Sequence, residues 1–229
     1  MKKWKELPKF MQNEEVKEYY DILQTKKVSL VLKRFFDIIV ALILLLILFI
    51  PMIIITIMIK KDSKGPVFYR QERITTYGKK FKIHKFRTMV NNADKIGTAV
   101  TTNKDSRITK VGNKLRNLRL DELPQLIDVL QGNMSFVGTR PEATKYVEKY
   151  SNEMMATLLM PAGITSEASI RYKDEAKLLE KAENADEVYV KEILPNKMKY
   201  NLQSIKKFSL VEDVKTMFRT VLAVLGKAV

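Results

Sequence analysis

The sequence predicts an α+β, mostly helical, membrane-associated chain, in which a single domain follows an N-terminal re-entrant helix hairpin broken at a proline. Three observations carry that expectation. One uncharged apolar run, Ile38 to Ile59, is 22 residues long and contains Pro51. Two short β-like runs follow it, punctuated by Gly65-Pro66 and Tyr77-Gly78. Most of the remainder places apolar residues at helical spacing.

Residues 1–32 are polar and basic with scattered apolar positions (Trp4, Phe10, Val16, Tyr19, Leu23), and read as a short surface helix with loose ends. Residues 33–61 hold the apolar run. Its length permits a bilayer crossing, which needs about 20 apolar residues. Lysines and arginines crowd both flanks, however, from Lys26, Lys27, Lys33 and Arg34 before it to Lys60, Lys61 and Lys64 after it. Because such charges are retained on the cytoplasmic side, a crossing would export one cluster. Pro51 removes a backbone hydrogen bond and crowds the Ile47 carbonyl, a cost of about 3 kcal/mol. A helix–break–helix hairpin with both ends on one face satisfies the charges. A kinked span remains open on these grounds alone.

Residues 62–229 form the domain. Lys64 to Met89 reads as a small hairpin or meander. Asn91 to Gly112 is polar and loop-like. A helix is expected after Pro124, which suits a first helical turn, with Leu126, Ile127 and Leu130 on one face and Gly132 as its stop. A second helix is expected from Pro141-Glu142, with Tyr146, Val147, Tyr150, Met154 and Leu158 on one side. "PAGITSEASIRYKDE" is a loop or strand. From Leu210, the residues Val211, Val214, Phe218, Val221, Leu222 and Leu225 fall at helical spacing; the face is core or membrane-surface lining, and core is the expectation.

The chain has no cysteine and one histidine, which excludes disulfides and nearly excludes a Cys/His zinc site. The formal net charge of +15 fits a nucleic acid, or an anionic membrane surface and phosphate-bearing ligands; the apolar run favours the second.

Asp121 and Glu122 are adjacent carboxylates before a helix, where the dipole favours negative charge, with Arg116 and Arg119 just upstream. An ionised carboxylate can act as a nucleophile, and a neighbour can help hold Mg²⁺. On spacing alone a plain helix cap is the favoured reading of the pair, since acidic residues are common there for stability. "GTRPE", Gly138 to Glu142, sets Arg140 before Pro141, where a guanidinium and free backbone N–H groups would make an anion site; a turn with a solvated arginine is the alternative. Lys85 and Arg87 in "HKFRTM" are candidate phosphate contacts or a charged strand face. His84 has no catalytic partner nearby in sequence and reads as structural. The glycine-rich nucleotide loops are missing.

Taken in order, "KRFFDIIVALILLL…P", "GPVFYRQERI", "KFRTM", "DSRITKVGNKLR", "LDELPQLIDVLQGNMSFVGTRPE" and "AGIT" resemble the bacterial sugar transferase family, the monotopic phosphoglycosyl transferases, over residues 31–170. The chain is similar to the small members, without the N-terminal multi-span region of larger relatives. The resemblance implies transfer of a sugar-1-phosphate from a UDP-sugar to undecaprenyl phosphate with release of UMP, starting a membrane-bound glycan. It implies that Asp121 attacks the β-phosphate to give a covalent aspartyl phosphosugar, and that Glu122 orients it or helps Asp121 hold Mg²⁺. Lys85, Arg87, Arg116, Arg140 and Pro141 then hold phosphate or nucleotide. It further implies a hairpin broken at Pro51, with both termini cytoplasmic, and a catalytic domain on the cytoplasmic face of the bacterial inner membrane. The expected partners are the UDP-sugar, undecaprenyl phosphate and the membrane, with no nucleic acid; a homodimer is left open. An inactive membrane-anchored scaffold of a glycan-assembly complex is the alternative function. The chain departs from the family pattern at Ile50-Pro51, where Ser-Pro is common, at Thr139-Arg140-Pro141, where the family has Pro-Arg-Pro, and at "AGITS", where "PGITG" is usual.

Overall fold

A computed structural model describes residues 1–93, 105–179 and 184–227. The chain starts with 3-10 turns at Trp4–Glu6 and Lys9–Met11, followed by helix α1, Glu14–Thr25. Asn13 caps α1 by accepting from Val16 N at 2.9 Å. The N-terminal segment does not lie loose on the surface. Met11, Val16, Tyr19 and Leu23 are buried against Leu158, Leu159, Leu202 and Ile205. The apolar positions that looked scattered in sequence converge because α1 puts Val16, Tyr19, Tyr20 and Leu23 on one face.

Helix α2, Lys27–Asp62, follows after a single residue, Lys26. It is 36 residues long, about 54 Å at 1.5 Å per residue, and is apolar and long enough to cross a membrane. The expected break at Pro51 does not divide it: the proline lies inside one helix. Proline removes one backbone hydrogen bond but has a helix-compatible φ, so the run continues through it. The helix also starts earlier than the expected 33. Two stretches are seated on the domain, through buried Lys33, Asp37 and Ala41 and through buried Ile55 and Ile59. Between them the outer face is bare, and Leu46 keeps 82% of its surface exposed.

The predicted hairpin is present. Strand β1, Phe68–Ile74, pairs antiparallel with β2, Lys80–Phe86, from Phe68↔Phe86 to Ile74↔Lys80. Tyr77 and Gly78 turn the chain with φ of 59° and 75°. Of the polar stretch after it, residues 94–104 lie outside the described residues. Helix α3, Lys110–Asn117, and helix α4, Gln125–Leu130, follow, and Gly132 (φ 78°) ends the second as expected. Strand β3, Met134–Val137, pairs in parallel with β4, Ala162–Thr165.

The helix expected from Pro141 is instead a four-residue helix α5, Thr144–Val147, and a 3-10 segment, Glu153–Leu159. Ile74 N donates to the Glu142 carbonyl, so residue 142 extends the β1 edge and cannot enter a helix. Short helices α6 (Glu167–Arg171), α7 (Glu175–Leu179) and α8 (Ala185–Val188) lead into helix α9, Leu194–Lys206, and helix α10, Leu210–Val224. The core expectation for α10 is overturned. Val211, Phe218, Val221 and Leu225 are exposed, while α10 turns Asp213 and Ala223 inward.

Candidate active site

The acidic pair sits between α3 and α4. After α3 the chain turns through Arg119, in the left-handed region at φ 56°, and Leu120–Glu122 makes one 3-10 turn. Leu123 and Pro124 stay in the right-handed helical region and carry that turn into α4. Asp121 therefore stands at the start of a helical run, where backbone N–H groups favour a carboxylate.

Glu122 is clamped. Lys85 Nζ donates to its Oε1 at 2.9 Å, and Arg140 donates to Oε1 at 2.6 Å and to Oε2 at 3.4 Å. Local structure delivers both cations. On β2, His84 N donates to Asp128 Oδ2 at 2.8 Å, and the His84 ring Nδ1 lies 2.8 Å from Asp128 Oδ1. Asp128 is fully buried on α4, so these bonds lock β2 to α4 and turn the next residue, Lys85, onto Glu122. Arg140 follows a close crossing just beyond β3. Gly138 N donates to Thr165 O at 3.0 Å and Gly163 N to Thr139 O at 2.9 Å. A Cβ on Gly163 would lie 2.2 Å from Gly138 N, so no side chain fits there.

The charges divide the pair. Burial alone would raise the Glu122 carboxyl, but Arg140 and Lys85 hold it well below the usual range. Asp121 is raised, first by burial and then by the Glu122 charge, with Lys85, Arg116 and Arg140 pulling the other way. Burial lowers the Lys85 ammonium against the pull of Glu122. The Arg140 guanidinium is raised by Glu122. Among the described residues none donates a hydrogen bond to the Asp121 carboxyl, and its cationic neighbours act on it through charge. One carboxylate is thus fixed and neutralised, and the other is left with its lone pairs unengaged beside it.

The structure brings Asp121, Glu122, Lys85, Arg116 and Arg140 together, Arg116 at the range of its charge. Pro141 is buried next to Arg140, but no helix begins there, so the backbone anion site expected at "GTRPE" is not formed. Arg87 goes elsewhere. Its guanidinium donates to Lys64 O at 3.0 Å, Ser63 O at 2.7 Å and Ser63 Oγ at 2.9 Å, closing the end of α2. Pro51 lies within α2, in the stretch between its two seated parts.

Three residues escaped sequence reasoning. Asp128, nearly two turns past Asp121-Glu122, has nothing in the sequence to set it apart from an ordinary polar helix position. Arg73 lies near Arg140 and Glu142. The hairpin register could have found it, because Tyr69, Gln71 and Arg73 face Lys85, Ile83 and Phe81 and share their side of the ribbon. Gln125 is 1% exposed, one turn beyond Asp121, and its Nε2 has no hydrogen-bond partner. No sequence signal marks that.

Among the described residues no group of three or more His, Cys, Asp or Glu could hold a metal by itself. Glu122 is occupied by two cations, which leaves Asp121 as the available ligand. Mg²⁺ commonly binds through one or two carboxylates plus substrate phosphates. The donor set fits an ion that arrives with a diphosphate.

Residues 28–227 match the family described as "Bacterial sugar transferase". The UDP-glucose:undecaprenyl-phosphate glucose-1-phosphate transferase of Escherichia coli (strain K12) is 39% identical over 199 residues, which cover 85% of this chain and 40% of that protein. The UDP-N-acetylgalactosamine-undecaprenyl-phosphate N-acetylgalactosaminephosphotransferase of Aeromonas hydrophila is 34% identical, over 85% of this chain and 44% of its own length. A candidate undecaprenyl-phosphate N-acetylgalactosaminyl 1-phosphate transferase of Bacillus subtilis (strain 168) is 42% identical over 150 residues, 65% of this chain and 82% of that protein. The chain thus spans less than half the length of the first two.

Proposed function

The chain belongs to the bacterial sugar transferase family, and from that premise we propose that it moves a sugar-1-phosphate from a UDP-sugar to undecaprenyl phosphate, releases UMP, and so begins a membrane-bound polysaccharide. The names of its relatives, which pair a sugar-1-phosphate transfer with undecaprenyl phosphate, support the substrate classes. The observation that carries the mechanism is the divided acidic pair.

In the proposed reaction an Asp121 oxygen attacks the β-phosphorus. The new Asp–O–P bond forms as the bond from that phosphorus to the bridging oxygen breaks, and UMP leaves with the bridging oxygen. A phosphate oxygen of the lipid then attacks the same phosphorus, giving the lipid diphosphosugar and restoring the carboxylate. Such a double displacement gives ping-pong kinetics. Glu122 holds Lys85 and Arg140 at the reacting phosphate without competing for it, and Arg116 adds positive charge. Mg²⁺, with Asp121 and the diphosphate oxygens as ligands, would neutralise charge on the departing nucleotide.

The one-face, re-entrant anchorage at the cytoplasmic surface of the bacterial inner membrane, with both termini cytoplasmic, belongs to the same proposal. Basic residues on both flanks of α2 support it. So does the seating of both Lys33–Ala41 and Ile55–Asp62 on one body, since a crossing would carry one of them through about 30 Å of hydrocarbon. Pro51 supplies a place for the helix to bend in the bilayer.

The test is UMP release by the purified protein with Mg²⁺ and a panel of UDP-sugars, with and without undecaprenyl phosphate, beside Asp121→Asn. Lipid-dependent UMP from one donor, lost in the variant, is expected. Folded protein that releases none, from a panel that includes UDP-glucose and UDP-N-acetylgalactosamine, would overturn the reading.

A further inference from the structure

Helix α2 does more than offer an apolar face. Its polar side chains reach the ends of the elements that carry the site. In its N-terminal part, Arg34 donates to Val129 O at 2.6 Å and Leu130 O at 2.9 Å, two carbonyls at the C-terminus of α4, the first of which also accepts from Gly132 N at 3.0 Å. At its end, Asp62 Oδ2 accepts from Val111 N at 3.0 Å, in the first turn of α3. Thr109 accepts from the next amide, Gly112 N, at 3.0 Å, so the α3 N-terminus is capped partly by its own chain and partly by α2. Each charge matches the dipole it meets, negative at an N-terminus and positive at a C-terminus.

Asp121 and Glu122 hang between these two capped helices. Only seven residues, 118–124, separate α3 from α4, and Arg119 already commits a left-handed turn. With so short a connection, the pair's position follows from where the two helices are held. Apolar packing of Leu126 and Val129 near Ala41 sets a distance, but it resists sliding and rotation less than directional hydrogen bonds do.

We infer that Arg34 and Asp62 are positioning residues for Asp121 and Glu122, which they fix from opposite ends of the apolar helix by holding the helix termini on either side of the pair. The inference deepens the proposed transfer reaction and rests on it for its kinetic readout alone. Both side chains are engaged with backbone groups of α4 and α3, so their effect is expected on kcat rather than on KM.

The test uses the full chain in phosphatidylglycerol nanodiscs, with Asp62→Ala, Asp62→Asn and Arg34→Lys, and reads hydrogen exchange and UMP-release kinetics together. Asp62→Ala is expected to speed exchange in α3 selectively and to lower kcat about tenfold with KM within about twofold, as small misplacements of reacting groups do. Asp62→Asn keeps an oxygen that can accept from Val111 and should recover most of the loss. Arg34→Lys keeps the charge but not the fork across two carbonyls, and should lower kcat with faster exchange in α4. Unchanged kcat and α3 exchange in Asp62→Ala would overturn the inference. So would acceleration spread equally over β1, β2 and α9, which marks general destabilisation. If the wild type releases no UMP, the transfer reading fails, while the exchange arm still decides whether α2 holds these helices.

Discussion

Replacing Glu122 with glutamine separates its electrostatic work from its shape. The side chain keeps its size and loses its charge. In the wild type Oε1 accepts from Lys85 at 2.9 Å and from Arg140 at 2.6 Å. Hydrogen bonds to charged groups contribute about 1.5–3 kcal/mol each, and a glutamine oxygen keeps one weaker bond, so the net loss is about 3 kcal/mol. Breaking a buried pair costs about 3–5 kcal/mol; Arg140, with 32% of its side chain exposed, places this case at the low end. In a chain of 229 residues that lowers Tm by roughly 6–12 °C at neutral pH. Glu122 is held below its ordinary value in the folded state, so its stabilisation is fully present above the ordinary glutamate range and is lost as pH falls below that range through the depressed folded value. The two melting curves should therefore converge in acid. Activity gives a second reading. Glu122 raises both the Asp121 carboxyl and the Lys85 ammonium. Without it both titrate lower, and the acid and alkaline limbs of the pH profile of kcat/KM should both move to lower pH. UMP release from about pH 5 to about pH 10, beside scanning fluorimetry, checks both. A folded variant with unmoved limbs, or with limbs shifting in opposite directions, would refute the assignment of Glu122 as the group that sets the site's charge.

Asp121→Asn should abolish UMP release and yet melt higher. The buried carboxyl is raised in the folded state, so wild-type stability falls as pH climbs above the ordinary aspartate range; the variant escapes that loss and should gain about 1–2 kcal/mol at neutral pH in denaturant titration. Leu126→Ala, in the core under α4, should cost about 2–5 kcal/mol, whereas Phe218→Ser on the bare face of α10 should change detergent-solubilised stability by no more than about 0.5 kcal/mol. Gly163→Ala should cost about 3 kcal/mol by forcing β4 from Gly138, and should lower turnover through Arg140.

The sequence displayed what depends on local chemistry. The Tyr77-Gly78 turn, the two short β-like runs beside it and the stop at Gly132 all follow from residues close together in the chain. The clamp on Glu122 was only half legible. Lys85 and Arg140 were visible as cations, but not their convergence, which depends on the buried His84–Asp128 lock and the Gly138–Gly163 crossing. Arg87 looked equivalent to Lys85 two residues earlier, and the carbonyls at the end of α2 claimed it instead. The apolar spacing of α10 was read as core because a helical stripe reports that a face is apolar without saying what covers it. Pro51 likewise announced a lost hydrogen bond, and one lost bond did not end a helix anchored on both sides.

The seating of α2 also orders the chain in time. Lys33 is paired with Asp213, which lies 180 residues further on, and Asp37 accepts from Phe136 N, 99 residues on. At about 5–20 residues per second, a ribosome completes Asp213 roughly 9–36 s after Lys33. The apolar helix is made long before either buried charge has its folded-state partner: Asp37 gains Phe136 N about midway through that interval, and Lys33 waits to its end. The Arg34 and Asp37 contacts of α2 can therefore form before α10 exists, and α10 supplies the last one, the partner of Lys33.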